Sequence, residues 1–184
     1  MKRPGRRGGP VRGLGAAVIG AGLVFGALGA APAADAAARV RTVTLRLASH
    51  PGQVANVAGG STENLAHVIQ WPLSHTDNER WEPEPVSGGY FRLRSVESGK
   101  CLNVQGGGNA NGTQVIQYTC GTESNEEWKF VPKGIGYQII VRSSHKCLNV
   151  KGGVGKGNPL IQYTCTVGGL PNDVWLPVWE NASL

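Results

Sequence analysis

Three copies of one motif run through this chain at a spacing of 47 residues or close to it. The middle copy reads Lys100-Cys101-Leu102-Asn103-Val104, then a glycine-rich stretch, Val115-Ile116-Gln117-Tyr118-Thr119-Cys120 and Asn125-Glu126-Glu127-Trp128. The last reads Lys146-Cys147-Leu148-Asn149-Val150, Leu160-Ile161-Gln162-Tyr163-Thr164-Cys165 and Asn172-Asp173-Val174-Trp175. The first has diverged but keeps register: Gln53-Val54-Ala55-Asn56-Val57, Val68-Ile69-Gln70-Trp71-Pro72-Leu73 and Asn78-Glu79-Arg80-Trp81. First and second copies align without a gap; the third needs one deletion in its glycine loop and two extra residues before Trp175. Self-similarity at a fixed period marks a repeat architecture, in which one unit cannot bury its apolar face alone. Three units of this length suggest a closed threefold object rather than an open solenoid, which needs caps.

Each copy carries four short apolar runs separated by turn residues. In the middle copy these are 90–94, 101–105, 114–120 and 128–131, and Phe91, Leu93, Leu102 and Val104 alternate with polar residues. Alternation with a period of two is the signature of half-buried strands. Ser98-Gly99-Lys100 and the run from Gly106 to Gly112 are turn material. No window beyond the N-terminal segment offers an apolar helical stripe with caps. Four strands in each of three copies predict an all-β fold of twelve short strands. The arrangement that leaves few strand edges exposed is a pseudo-threefold β-trefoil, a small closed barrel with hairpins across one end.

The N-terminus reads as an export signal. Lys2, Arg3, Arg6, Arg7 and Arg12 precede an apolar run from Leu14 to Ala30, and cleavage patterns follow at Ala34-Asp35-Ala36 or Ala31-Pro32-Ala33. Arg6-Arg7 is followed by Gly8-Gly9-Pro10, a poor twin-arginine continuation, so ordinary secretion is expected. The domain plan is a signal peptide over 1–36, a short segment over 37–42 and the repeat domain over 43–180, with repeats at about 43–86, 90–132 and 136–178. No membrane span is expected after processing. The whole chain has a net charge of +6, but past residue 36 there are 13 Lys+Arg against 11 Asp+Glu, a net +2. No basic stripe remains to follow a phosphate backbone, which excludes nucleic acid as the expected partner.

All four cysteines lie in the exported part, where disulfides are permitted. Four cysteines allow three pairings. The first copy replaces both of its cysteines together, with Val54 and Leu73, as expected when partners share one repeat. The expected bridges are therefore Cys101–Cys120 and Cys147–Cys165. Trp81, Trp128 and Trp175 are expected to fill the core between repeats. Gly155-Lys156-Gly157 lacks the Ser or Thr of a phosphate loop. His50, His67, His75 and His145 have no partners at ligand spacing, so no metal and no cofactor are expected. Asn111-Gly112-Thr113 and Asn181-Ala182-Ser183 fit the glycosylation sequon.

The combination of Cys-Leu-Asn-Val, Gly-Thr-x-Val-x-x-Tyr-x-Cys and Asn-x-x-Trp resembles the ricin B-type (R-type) lectin repeat, found also as a carbohydrate-binding module appended to xylanases. The resemblance covers about residues 43–178. It implies a lectin-like domain that recognises oligo- or polysaccharide through up to three weak sites, one per repeat. The family places an Asp before the Val of the second strand, an aromatic two residues before the second Cys, and an Asn-Gln pair before the Trp. Those positions here hold Asn56, Asn103 and Asn149; Trp71, Tyr118 and Tyr163; and the pairs Asn78-Glu79, Asn125-Glu126 and Asn172-Asp173. A short amide suits sugar hydroxyls and an aromatic ring suits the C–H face.

Two departures stand out. Ile69, Ile116 and Ile161 occupy positions where the family often carries Gln, and Gln70, Gln117 and Gln162 fall one place later, on the opposite face of the strand. The family's early Asp and late Gln are also exchanged for an early Asn and a late acid in every copy. The late acid is expected to hold the early Asn amide, leaving the Asn carbonyl to accept from the sugar.

Other function classes are weaker. Glycoside hydrolysis needs two carboxylates flanking the scissile bond. The acids group as Glu82/Glu84 and Glu123/Glu126/Glu127, expected in exposed strand ends and turns with no matched partner set, so the chain is not expected to be an enzyme. The alternative is a protein-binding trefoil, such as a secreted inhibitor or a subunit of an extracellular complex. The short glycine-rich loops make that costly to order. A separately encoded secreted enzyme is a further candidate partner.

Overall fold

The computed structural model describes residues 41–180. The expected signal peptide, most of the 37–42 segment and the sequon at Asn181 lie outside the described residues. The first repeat holds β1 (Thr42–Leu47), β2 (His50–Val57), β3 (Val68–Pro72) and β4 (Arg80–Val86). The second holds β5 (Tyr90–Ser95), β6 (Cys101–Val104), β7 (Val115–Tyr118) and β8 (Glu127–Lys133). The third holds β9 (Gly136–Val141), β10 (Cys147–Val150), β11 (Leu160–Tyr163) and β12 (Trp175–Glu180). All twelve expected strands are present, and the helical elements among the described residues are short 3-10 turns.

Pairing closes a ring. Antiparallel contacts run β1 to β4, β4 to β5, β5 to β8, β8 to β9, β9 to β12 and β12 back to β1, making a six-stranded barrel. The hairpins β2–β3, β6–β7 and β10–β11 join it through β1, β5 and β9. Closure removes the strand edges that would otherwise invite pairing with other chains. The fold is the pseudo-threefold β-trefoil.

Alternation decides which side chains enter. On β5, Leu93 and Ser95 are buried while Arg92 and Arg94 point outward. Trp81, Trp128 and Trp175 are fully buried, beside Leu93 and Ile139 from the first strands and Leu102 and Leu148 from the hairpins. Each indole N–H donates into its own repeat's hairpin: to the Ala55 carbonyl at 3.3 Å, the Leu102 carbonyl at 2.8 Å and the Leu148 carbonyl at 3.0 Å. A buried N–H left without a partner would cost about 1–3 kcal/mol, so these bonds fix each tryptophan as a tie between barrel and hairpin.

The disulfides are Cys101–Cys120 and Cys147–Cys165, each within one repeat. One expectation fails here. Glu126 and Glu127 are buried, at 1% and 7% exposure, rather than standing in exposed strand ends. Their sequence context of turn and charge is genuine, but each carboxylate turns inward to partners that sequence spacing does not reveal.

Candidate functional site

The turn before each core tryptophan positions a pair of side chains. Asp77–Glu79 and Ser124–Glu126 are 3-10 turns, and the third repeat has a hydrogen-bonded turn at 171–173. These turns carry Asn78, Asn125 and Asn172. Each asparagine uses its Nδ2 twice. Asn78 donates to Asn56 Oδ1 at 3.0 Å and to the Val57 carbonyl at 2.9 Å. Asn125 does the same to Asn103 Oδ1 at 3.0 Å and the Val104 carbonyl at 2.8 Å. Asn172 reaches Asn149 Oδ1 at 3.1 Å and the Val150 carbonyl at 2.9 Å. Because the early asparagine's oxygen is the acceptor, its Nδ2 must lie on the other side, and the orientation of both amides is set.

The late asparagine therefore takes the part expected of the late acid. Only in the first repeat does the acid touch the early amide, with Asn56 Nδ2 donating to Glu79 Oε2 at 3.3 Å. The acids instead latch the loop that follows the third strand. Glu79 accepts from the backbone N–H of Ser74 and His75 and from the Ser74 hydroxyl. Glu126 accepts from the Gly121 N–H at 2.7 Å and pairs with the Arg92 guanidinium at 3.4 Å. Asp173 accepts from the Leu170 N–H at 2.6 Å, the Thr166 hydroxyl at 2.7 Å and Gln138 Nε2 at 3.2 Å. Glu79, Glu126 and Asp173 expose at most 1% of their surface, so they support the surface from beneath. A carboxylate can take several N–H and O–H donors at once, and such charge-assisted bonds are about twice as strong as neutral ones.

The aromatic residues do the opposite and stand in solvent: Trp71, Tyr118 and Tyr163 are 36%, 43% and 46% exposed. In the middle repeat Tyr118, Asn103 and Asn125 line a groove of about 530 Å³, with Gln105 and Glu123 at its rim and Leu65 as a wall. In the first repeat Trp71, Asn56 and Asn78 line a smaller groove of about 260 Å³. Each groove thus offers an exposed ring beside two oriented amides. That pairing suits a ligand with one C–H face and a row of hydroxyls.

The Leu65 wall of the middle groove comes from the neighbouring repeat, and a loop from the repeat before it packs on the third strand of each repeat, a feature that sequence reasoning missed. The loop after β2 packs on β7, where the Leu65 N–H donates to the Gln117 carbonyl at 3.0 Å. The loop after β6 packs on β11, with Gly112 N–H to the Gln162 carbonyl at 2.9 Å. The loop after β10 returns to β3, with Gly157 N–H to the Gln70 carbonyl at 2.8 Å. Gln70, Gln117 and Gln162 are buried on the far side of these strands, as their register predicts, and fasten the incoming loops. Gln117 Nε2 donates to the Ser61 and Glu63 carbonyls, Gln162 Nε2 to those of Gly108 and Ala110, and Gln70 Oε1 accepts from the Gly155 N–H.

The three junctions are not identical. Asn64 accepts from the Thr119 N–H at 2.8 Å, and Asn111, 47 residues later, accepts from the Thr164 N–H at 3.0 Å. At the third junction the Thr position is Pro72, which has no N–H, and the Asn position is Lys156. The Lys156 ammonium lies 4.5 Å from the centroid of the Trp71 ring instead. An amide clamp has been exchanged for a cation–π contact. The equal spacing of Asn64 and Asn111 was the available signal.

The Glu84 carboxyl, on the barrel wall, is held below its ordinary value because the Arg94 guanidinium donates to it at 2.5 Å. No cluster of three metal-ligating side chains is found among the described residues.

Comparison with known proteins agrees with this geometry. The family described as ricin-type beta-trefoil lectin domain-like matches residues 36–118 and 77–163. Among solved structures, the designed threefold-symmetric protein ThreeFoil is 32% identical, with a TM-score of 0.70 over 74% of this chain and 97% of that one. The exo-beta-1,3-galactanase 1,3Gal43A from Clostridium thermocellum is 31% identical, with a TM-score of 0.70 over 77% of this chain but only 30% of that one. The Rhizoctonia solani agglutinin shares the fold at 20% identity, with a TM-score of 0.67 over 76% of this chain and 94% of that one. No curated protein matches the chain in sequence.

Proposed function

The chain belongs to the ricin-type beta-trefoil lectin domain-like family, and from that premise we propose that it is a secreted, non-catalytic carbohydrate-binding domain with up to three weak sites, one per repeat. The observation that carries the reading is the threefold recurrence of an exposed aromatic ring beside two oriented asparagine amides. In this reading Trp71, Tyr118 and Tyr163 take the C–H face of a sugar ring. Asn56, Asn103 and Asn149 donate from Nδ2, and the free Oδ1 of Asn125 and Asn172 accepts from a hydroxyl. Glu79, Glu126 and Asp173 position the loops. Hydrolysis would need two carboxylates flanking one bond. Of the two acids at the middle groove, Glu126 is committed beneath the surface to Gly121 and Arg92.

The disulfides fit export, and residues 1–36 have the make-up of a signal peptide, so an extracellular glycan is the partner proposed. The 31% identical galactanase carries this fold over about a third of its length, which makes β-1,3-galactan one polymer to include and a separate secreted enzyme a natural companion.

A shallow site for one sugar gives millimolar-range binding, about −4 kcal/mol. A polymer that spans two sites gains through effective concentration. The test is affinity electrophoresis in gels containing β-1,3-galactan, xylan or arabinan. Retardation by at least one polymer is expected, with weak competition by free monosaccharide. Single Trp71→Ala, Tyr118→Ala and Tyr163→Ala variants should each reduce retardation, and the triple variant should abolish it. A folded triple variant retarded as strongly as the parent would overturn the proposal.

A further inference from the structure

The middle groove contains a residue that the fold alone does not explain. Leu65 adopts φ +70°, in the left-handed region where a side chain is disfavoured. The equivalent positions of the other two repeats hold Gly112 at φ +86° and Gly157 at φ +84°. All three donate the same backbone N–H to the carbonyl of the buried glutamine on the next repeat. The position therefore demands a left-handed residue in every repeat, and glycine is the unstrained solution. Leu65 does not offset the strain by burial, since it is 53% exposed. Strained, exposed residues that persist in a rigid frame gather at ligand sites.

A Cβ added at Gly157 would lie 3.9 Å from the Trp71 ring, and one added at Gly112 would enter open space. In the middle repeat that vector carries a leucine side chain, and Leu65 lines the same groove as Tyr118. That groove is about twice the volume of the first repeat's, 530 Å³ against 260 Å³. Its polar side holds Asn103, Asn125, Gln105 and Glu123. The isobutyl group has no donor or acceptor, so it can recognise only C–H surface.

We propose that Leu65 is a specificity-determining residue of the middle groove. It forms the wall of a second subsite that takes the C–H face of the sugar unit adjoining the one on Tyr118. The middle site thereby selects oligosaccharides of two or more units over monosaccharides, whereas the repeats with glycine at this position do not. The inference rests on the carbohydrate-binding reading above.

The test uses a Trp71→Ala/Tyr163→Ala background, so that only the middle groove reports. Binding is measured by titration calorimetry against mono-, di- and tetrasaccharides of the galacto-, xylo- and arabino-series. Leu65→Gly and Leu65→Asn, both compatible with a left-handed backbone, are compared with Leu65 there. Losing the wall should weaken di- and tetrasaccharide binding about tenfold, as expected for a few tens of Å² of apolar contact. Monosaccharide affinity should stay within about twofold. The Leu65→Gly variant should melt no lower than its parent, because the backbone strain is relieved. An unchanged gain from mono- to disaccharide in both variants would overturn the subsite. So would an equal loss for both ligands, which would place Leu65 in the primary site. Saturable binding in the parent with either result leaves the carbohydrate reading standing. Absence of binding to every sugar by the unmutated full chain overturns that reading, and the subsite with it.

Discussion

Replacing Asp173 by Asn changes one oxygen to an NH2 group and keeps the shape. The carboxylate holds three classes of donor at once: the Leu170 N–H on Oδ1, and the Thr166 hydroxyl and Gln138 Nε2 on Oδ2. If the new NH2 takes the Oδ1 place, it faces the Leu170 N–H. If it takes the Oδ2 place, the Thr166 hydroxyl can rotate to accept, but Gln138 meets it donor to donor. Gln138 cannot simply turn, because its Nε2 also donates to the Thr166 carbonyl at 2.9 Å. In either orientation at least one N–H aimed at the buried carboxylate loses its partner, the Thr166 N–H at 3.4 Å included when Oδ2 is replaced, which costs about 1–3 kcal/mol. The surviving bonds also change from charge-assisted to neutral, with a loss of about 1 kcal/mol between them. The expected destabilisation is about 3 kcal/mol, a fall of about 10 °C in Tm for a domain of this size. Thermal unfolding followed by circular dichroism measures it. A Tm within about 2 °C of the parent would refute the idea that the buried acid is the latch of the third-repeat loop.

Removing one bridge with Cys147→Ser and Cys165→Ser opens a loop with a sequence separation of 18 residues. The loss should be about 3 kcal/mol by loop-closure entropy, with strand content retained in far-UV circular dichroism; a drop in Tm below about 3 °C would contradict it. For Glu84, the bond from Arg94 lowers the folded-state pKa below the ordinary 4.5. Its contribution is therefore present above that value and lost as pH falls through and below it. The Tm gap between parent and Glu84→Gln should be small, since the pair is about one-third exposed. It should close on going from about pH 6 to about pH 3, and a gap that widens would reverse the assignment.

The fold was legible because period, alternation and paired cysteine loss point the same way. Asn56, Asn103 and Asn149 could be placed on the second strand of each repeat, and Gln70, Gln117 and Gln162 on its neighbour's hidden face, from register alone. The inward turn of Glu79, Glu126 and Asp173 was not legible. Acids beside Asn in a turn look solvated, and their partners Ser74, Gly121 and Leu170 donate through backbone that carries no sequence mark. Leu65 was hidden for a related reason. Turn reading relies on glycine and asparagine, and a leucine at the place that Gly112 holds 47 residues later carries no turn signal of its own.

Because each hairpin is packed by a loop from the repeat before it, the order in which those packings can form differs from the order in which the hairpins are encoded. The residues that line the middle groove fall between 65 and 126, and its glutamine fastens a loop 54 residues away. The loop that packs beside the first groove comes from the last third of the chain: Gly155 reaches Gln70 across 85 residues. Contacts of greater separation form later, because the loop entropy must be met before the contact rewards it. During synthesis the loop that packs on the middle hairpin is thus already present while the third repeat is still being made. The first hairpin gains its packing loop only when the circle of repeats closes, so a chain truncated after the second repeat keeps the residues that line the first groove and loses the loop packed against Gln70 and Trp71.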